Sequence, residues 1–263
     1  MDPRMFAIVS NKPELITSFP RWLFPEAMER ELQATEGVAI AEIAGRDSIA
    51  AVFEGVRRKK LQALLPTIAY TGTEFGEWEL LFNKIRMLTE ELEGKGIKVF
   101  NPVVLGAPRW WRHLCGRCVP SLFERFGFYS PCVGCHLYLH ALRIPLALRV
   151  NCRMIIGGER ESHEGKIKIN QTAAALDAYT SFARSFGIEL FFPLRKIGSD
   201  EAIATIIRGQ LEESDEQLGC VLSKNYLDEA GMVTCPEEAI KRFFSEYAIE
   251  EAERLVRDSL ARR

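Results

Sequence analysis

Apolar positions along the chain fall into short continuous runs that alternate with amphipathic stretches, which predicts strands alternating with helices. Residues 38–43 read as a strand and 48–64 as a helix. Residues 66–71 form a second strand and 77–92 an amphipathic helix stopped by Gly94 and Gly96. Residues 97–105 make a third strand interrupted by Pro102. The alternation then breaks over 106–135, a stretch rich in Cys, Arg, Pro and aromatics that reads as an insertion with its own local order. A helix over 136–148, a strand over 153–156 closed by Gly157-Gly158, and a polar loop over 159–168 follow. The pattern continues with a helix over 172–186, a fifth strand over 188–194 and a helix over 200–210. Residues 219–235 form a Cys-bearing loop, and 236–262 a charged helix with Pro236 at its first position. Residues 1–35, with Pro13, Pro20, Pro25 and a short helical pattern near 26–33, read as a lead-in. The expectation is an α/β protein built on a doubly wound parallel sheet over 36–210, with a Cys-rich metal-binding insertion and a separate tail over 211–263.

Ligands of such sheets bind beyond the carboxyl ends of the strands. Three small-residue segments sit there: Ala44-Gly45-Arg46-Asp47-Ser48, Thr71-Gly72-Thr73 and Gly157-Gly158. In the first, a strand runs through a tight turn straight into a helix, which presents bare backbone N–H groups to a phosphate. Ala44 and Gly45 leave room for close approach, and Asp47 and Ser48 hydrogen-bond in the first helical turn.

Composition narrows the function classes. The chain has 263 residues, is 47% hydrophobic and 27% charged, and carries a net charge of −2, so no global field drives it towards nucleic acid. The run Arg57-Arg58-Lys59-Lys60 reads as a solvated face. Arg109, Arg112 and Arg117, interleaved with Trp110, Trp111 and His113, read either as a solvated face or as an RNA contact. No run of about 18 apolar residues exists, so no membrane span is expected. The N-terminal residues lack a secretory pattern. Seven cysteines, an odd number, argue for thiol or metal chemistry in a reducing, cytoplasmic setting. A homo-oligomer is the expected assembly.

Cys115-Gly-Arg-Cys118 and Cys132-Val-Gly-Cys135 form C-x2-C-x13-C-x2-C, a spacing that lets two thiolates of each knuckle reach one ion. One reading is a closed four-cysteine zinc site. The other takes Cys132, Cys135 and the distant Cys220 as three ligands of an iron–sulfur cluster with one iron open. Cys152 reads as a small buried hydrophobe, and Cys235 as a further ligand or a spare. His136 and His140 share one helix face and read as metal ligands or as packing residues. His163, near Lys166 and Lys168, is placed to meet a phosphate.

Strand, Ile43-Ala44-Gly45-Arg46-Asp47-Ser48 and helix together resemble the S-G-G-x-D-S signature of the PP-loop ATP pyrophosphatases, with Gly45, Asp47 and Ser48 matching. Ile43 stands in place of Ser and Ala44 in place of Gly. Thr71-Gly72-Thr73-Glu74-Phe75 resembles a turn of the PAPS-reductase-like members. Pro131-Cys132-Val133-Gly134-Cys135 resembles the cluster-binding P-C-x-x-C of the tRNA-thiolation branch. Gly157-Gly158-Glu159-Arg160 falls where that branch has a Gly-His loop, without the His. The likeness spans roughly residues 36–220.

The resemblance implies a Rossmann-like fold that binds ATP with Mg2+ and adenylates a carbonyl or carboxylate oxygen with release of pyrophosphate. Ala44, Gly45, Arg46, Asp47, Ser48, Thr71, Gly72, Gly157, Gly158, Arg160 and Lys166 would then bind nucleotide, with Lys168 beside them. Asp47 and Cys220 would be catalytic, and Cys115, Cys118, Cys132, Cys135 and Cys220 would hold a [4Fe–4S] cluster or Zn2+. The leading expectation is an ATP-dependent sulfurtransferase acting on tRNA with a separate sulfur donor, the segment 109–118 docking RNA. The alternatives are a zinc-containing enzyme of the same fold that adenylates a small carboxylate, and a non-catalytic nucleotide-binding protein.

Overall fold

The computed structural model describes residues 1–207, 217–233 and 235–262. Its strands are β1 (Val38–Glu42), β2 (Ala63–Ala69), β3 (Glu74–Phe75), β4 (Lys98–Val99), β5 (Val103–Leu105), β6 (Met154–Ile156), β7 (Glu189–Phe191) and β8 (Gly219–Cys220). The helices are α1 (Pro3–Asn11), α2 (Glu26–Ala34), α3 (Arg46–Arg58), α4 (Glu79–Glu93), α5 (Pro108–Trp111) and α6 (Val119–Phe126). After these come α7 (Pro131–Arg149), α8 (Ala173–Arg184), α9 (Asp200–Ile207), α10 (Glu237–Phe243) and α11 (Ile249–Ala261).

Six strands form a parallel sheet in the order β4-β2-β1-β6-β7, with β5 also on β2. Alternation along the strands feeds two cores. Val38, Ile40, Ala63, Leu65, Ile155 and Leu190 pack towards α2, α7, α8, α10 and α11. Ala39, Ala41, Leu64, Ile68, Val104 and Ile156 pack towards α1, α3, α4 and α9. Helices on both faces of a parallel sheet are the doubly wound arrangement expected from the sequence.

The differences have physical causes. The helix expected over 48–64 ends at Arg58, and Ala63-Leu64-Leu65 opens β2. A strand buried on both faces has no polar alternation to set it apart from a buried helix. The third strand divides into β4 and β5 around Pro102, which has no N–H for the ladder. The helix expected from residue 136 starts at Pro131 and so carries Cys132 and Cys135 on its first turns. The C-terminal helix is broken by a π turn at Phe244–Ala248. Helix α1, which the sequence reading left out, closes one face of the sheet with Ile8 and Val9. Residues 208–210 of the helix expected over 200–210 lie outside the described residues.

The stretch 106–135 contributes Trp110, Leu114, Cys115, Leu122 and Phe126 to the same core as α7 and α8. β8 pairs antiparallel with β3, Cys220 opposite Glu74, and this brings part of the tail to the ends of the central strands.

Candidate functional site

β1 and β6 are neighbours, with β2 on one side and β7 on the other. This reversal of strand order opens a crevice at the carboxyl ends. A cleft of about 800 Å³ lies there, lined by Ala44, Gly45, Arg46, Asp47, Ser48, Thr71, Gly158, Arg160 and Lys166 of the expected nucleotide residues. His163 and Lys168 line it too. Gly72, which is exposed, and Gly157, which is buried, are not among the residues that line it.

The loop after β1 is held by Ser48. Its Oγ accepts from the N–H groups of Ala44 (3.0 Å) and Gly45 (3.1 Å) and donates to the Gly45 carbonyl (2.7 Å). Helix α3 starts at Arg46, so its free N–H groups and dipole face the cleft. Ile43 is buried in the core and offers the cleft no hydroxyl. The loop after β6 presses on this turn: a Cβ on Gly158 would stand 2.7 Å from both N and Cα of Ser48. In the Thr-Gly-Thr turn, Gly72 has φ +101°, a conformation that favours glycine. The Glu74 carboxylate accepts from the N–H groups of Thr71 (2.5 Å) and Gly72 (2.9 Å), so this turn already holds an anion.

Arg160, fully buried, organises the charges. Its Nε donates to Asp47 Oδ2 (2.8 Å), and one Nη donates to Asp200 Oδ1 (2.6 Å) and to Nδ1 of His163 (2.7 Å). Arg46 reaches Asp200 at 3.1 Å. The Arg160 hydrogen bond holds the Asp200 carboxyl below its ordinary value. Burial lowers His163, and donation from Arg160 into Nδ1 requires the neutral ring.

Cys132, Cys135 and Cys220 line the same cleft. Cys220 Sγ lies 3.3 Å from Thr73 Oγ1, and the Cys132 thiol donates to the Leu222 carbonyl at 3.6 Å. Burial, with Cys135 and Cys220 nearby, pushes Cys132 up to about 12. Cys115 is buried against Cys135, and burial raises its thiol strongly. Cys118 lies beside Tyr247. Among the described residues no three cysteine sulfurs lie within 4.8 Å of one another. Cys152 is buried, as its surroundings in the sequence suggested.

A polar cluster is built into the wall of the cleft, where Glu42, His136 and Glu159 line it and His140 lies behind them. His140 is fully buried, with Nδ1 3.3 Å from Glu42 Oε2 and Nε2 3.2 Å from Glu159 Oε1. His136 Nδ1 is 3.4 Å from the same Glu159 oxygen. Burial alone would favour a neutral His140, but Glu159 and Glu42 outweigh it and raise the ring to about 9. Glu42 is paired with the buried Arg143 at 3.2 Å. Glu42, a charge inside an otherwise apolar strand, was the sequence signal for this cluster.

The segment expected to dock RNA is divided in the structure. Arg109, Arg112 and Arg117 are exposed, but Trp110 is buried in the core and the Trp111 Nε1–H donates to Cys135 Sγ at 3.4 Å. Stacking through Trp110 is therefore ruled out by burial. Arg57 and Arg58 pair with Glu54 at the surface, as a solvated face would. No helix among the described residues is long and apolar enough to cross a membrane.

No family model matches the chain. It is 36% identical over 218 residues to the uncharacterized protein MJ0009 of Methanocaldococcus jannaschii, covering 80% of this chain and 76% of that one. Among solved structures it is similar to a 4-thiouridine synthetase in complex with RNA and ATP, with TM-score 0.53 and 13% identity over 86% of this chain. The chain spans about half, 53%, of that synthetase chain. A weaker likeness, with TM-score 0.37 and 12% identity over 93% of this chain and 85% of the other, links it to the U34-tRNA thiolase NcsA of Methanococcus maripaludis with its [4Fe–4S] cluster. By its likeness to MJ0009 the chain belongs to that protein's family, and its fold is similar to that of the 4-thiouridine synthetase.

Proposed function

We propose that this protein is an ATP-dependent RNA-modifying enzyme that adenylates a nucleobase oxygen of tRNA and exchanges it for sulfur supplied by a separate donor. The observation that carries this reading is the convergence in one cleft of a phosphate-type loop, a cationic loop and three cysteines. The RNA complex of the similarly folded synthetase supports the choice of substrate.

In this mechanism the N–H groups at the start of α3 receive the ATP phosphates, and Arg160, Arg46 and Lys166 offset the charge that develops on them. Asp47 and Asp200 are hard oxygen donors suited to the Mg2+ that accompanies ATP. The substrate oxygen attacks the α-phosphorus, the bond to the β-phosphate breaks, and pyrophosphate leaves. Sulfide-level sulfur, HS−, supplied by the donor then attacks the activated carbon, the C–O bond breaks so that AMP departs with the oxygen, and the sulfur's proton is released to solvent.

Cys132, Cys135 and Cys220 are the donors suited to a [4Fe–4S] cluster, because three thiols from α7 and β8 line the same cleft without all lying within 4.8 Å of one another. When bound, such a cluster supplies an open iron for the incoming sulfur. Anaerobically purified protein is tested for ATP-dependent pyrophosphate release with tRNA. Release that depends on tRNA and disappears in Asp47→Ala supports the proposal. Release with a small carboxylic acid instead overturns the choice of substrate.

A further inference from the structure

His136, His140 and Glu159 have no place in the adenylation chemistry, yet their ligating atoms all lie within 4.8 Å of one another. The two histidines stand four apart on α7 and present their rings to the same side. Glu159 enters from the loop after β6, and its Oε1 lies 3.2 Å from His140 Nε2 and 3.4 Å from His136 Nδ1. Ligand atoms bound at about 2.0–2.2 Å around one tetrahedral ion are separated by roughly 3.3–3.5 Å. The two separations from Glu159 are therefore those of a coordination shell, and the two histidine nitrogens lie within 4.8 Å of each other.

The unpartnered atoms point the same way. Both ring nitrogens of His140 and Oε2 of Glu159 are buried without a hydrogen bond, although carboxylate oxygens lie close to each ring nitrogen. Glu159 Oε1, close to His140 Nε2 but making no hydrogen bond with it, is well placed as a second ligand of an ion shared with that nitrogen. Gly157 makes room for this arrangement, since a Cβ there would stand 2.5 Å from Glu159 Oε2. Glu42, 3.3 Å from His140 Nδ1 and itself held by Arg143, adds a second carboxylate beside the imidazole.

We infer that His136, His140 and Glu159 form a site for one divalent transition-metal ion, with its fourth position open towards the nucleotide cleft. Two imidazoles and a carboxylate select an ion of the zinc type over Mg2+. His136 and Glu159 line the cleft while His140 lies behind them, so the open position faces water or an anionic ligand. The site stands independently of the adenylation reading and of the cysteines.

Full-length protein stripped of metal is titrated with Co2+ and with Zn2+. The expected result is one equivalent of Co2+ with a weak visible spectrum free of thiolate bands, retained in Cys132→Ser/Cys220→Ser. His136→Ala, at a partly exposed position, and Glu159→Gln should each weaken binding at least tenfold with unchanged circular dichroism. Unweakened binding in both variants, thiolate bands that dominate the spectrum, or no binding at micromolar metal overturns the site. If the variants do not fold, X-ray absorption of the zinc-loaded wild type decides. A shell of two imidazoles with oxygen supports the site, and a shell of sulfur overturns it.

Discussion

At the scale of single residues, Gly158 and His163 report on the cleft most directly. A methyl group on Gly158 meets the backbone of Ser48, which cannot swing away as a side chain would. Gly158→Ala should cost about 1–3 kcal/mol in urea denaturation because the loop at Ser48 must shift, and in the proposed reading, where that loop receives phosphate, it should weaken ATP binding in calorimetry. Full stability with full ATP affinity would show that the two loops do not press on each other. His163 gives a pH signature. Its value is lowered in the fold, so the unfolded chain binds its proton more readily. The stabilisation is complete above the unfolded value of about 6.5 and is lost as the pH falls below it. Below pH 6.5 the melting temperature of His163→Gln should therefore fall less steeply than that of the wild type.

At the scale of elements, the short antiparallel pair of β3 and β8 brings Cys220 to the cleft that Cys132 and Cys135 of α7 also line. In the cluster reading, Cys220→Ser should abolish the brown colour and iron content of anaerobically purified protein, while Cys152→Ser, buried elsewhere, leaves both intact. Equal iron in the two variants would remove Cys220 from the ligand set. Much of this level was legible in the chain. The strands β1 and β6, the helices α3, α4 and α8, and the three small-residue segments at strand ends all follow from periodicity and turn chemistry. The β3–β8 pairing was not, since two-residue strands carry no periodicity. The division of α5 and its neighbours into inward tryptophan and outward arginine was equally hidden. Burial of Trp110 depends on what packs over it.

At the scale of the whole molecule, the doubly wound sheet unites segments more than a hundred residues apart around one cleft. A ligand seated there ties both halves of the sheet together and stabilises the fold by mass action. ATP with Mg2+ at a hundred times its dissociation constant should add about 2.7 kcal/mol, roughly 5–10 °C in melting temperature. Asp47→Ala should abolish that shift in differential scanning fluorimetry, and an unchanged shift would place ATP elsewhere.

The sequence by itself determined the α/β class, the phosphate-type loop, and the identity of the residues near it, because these depend on local rules: periodicity, glycine at turns, and short spacings between ligands. Only the tertiary structure decided which distant groups meet. It joined Arg160 to Asp47 and Asp200, Cys220 to the α7 cysteines, and Glu42 and Glu159 to His140. Such pairings depend on strand order and on which face of a helix is covered. One chain read residue by residue does not contain that information in any single stretch, because burial and long-range charge pairing belong to the packed whole.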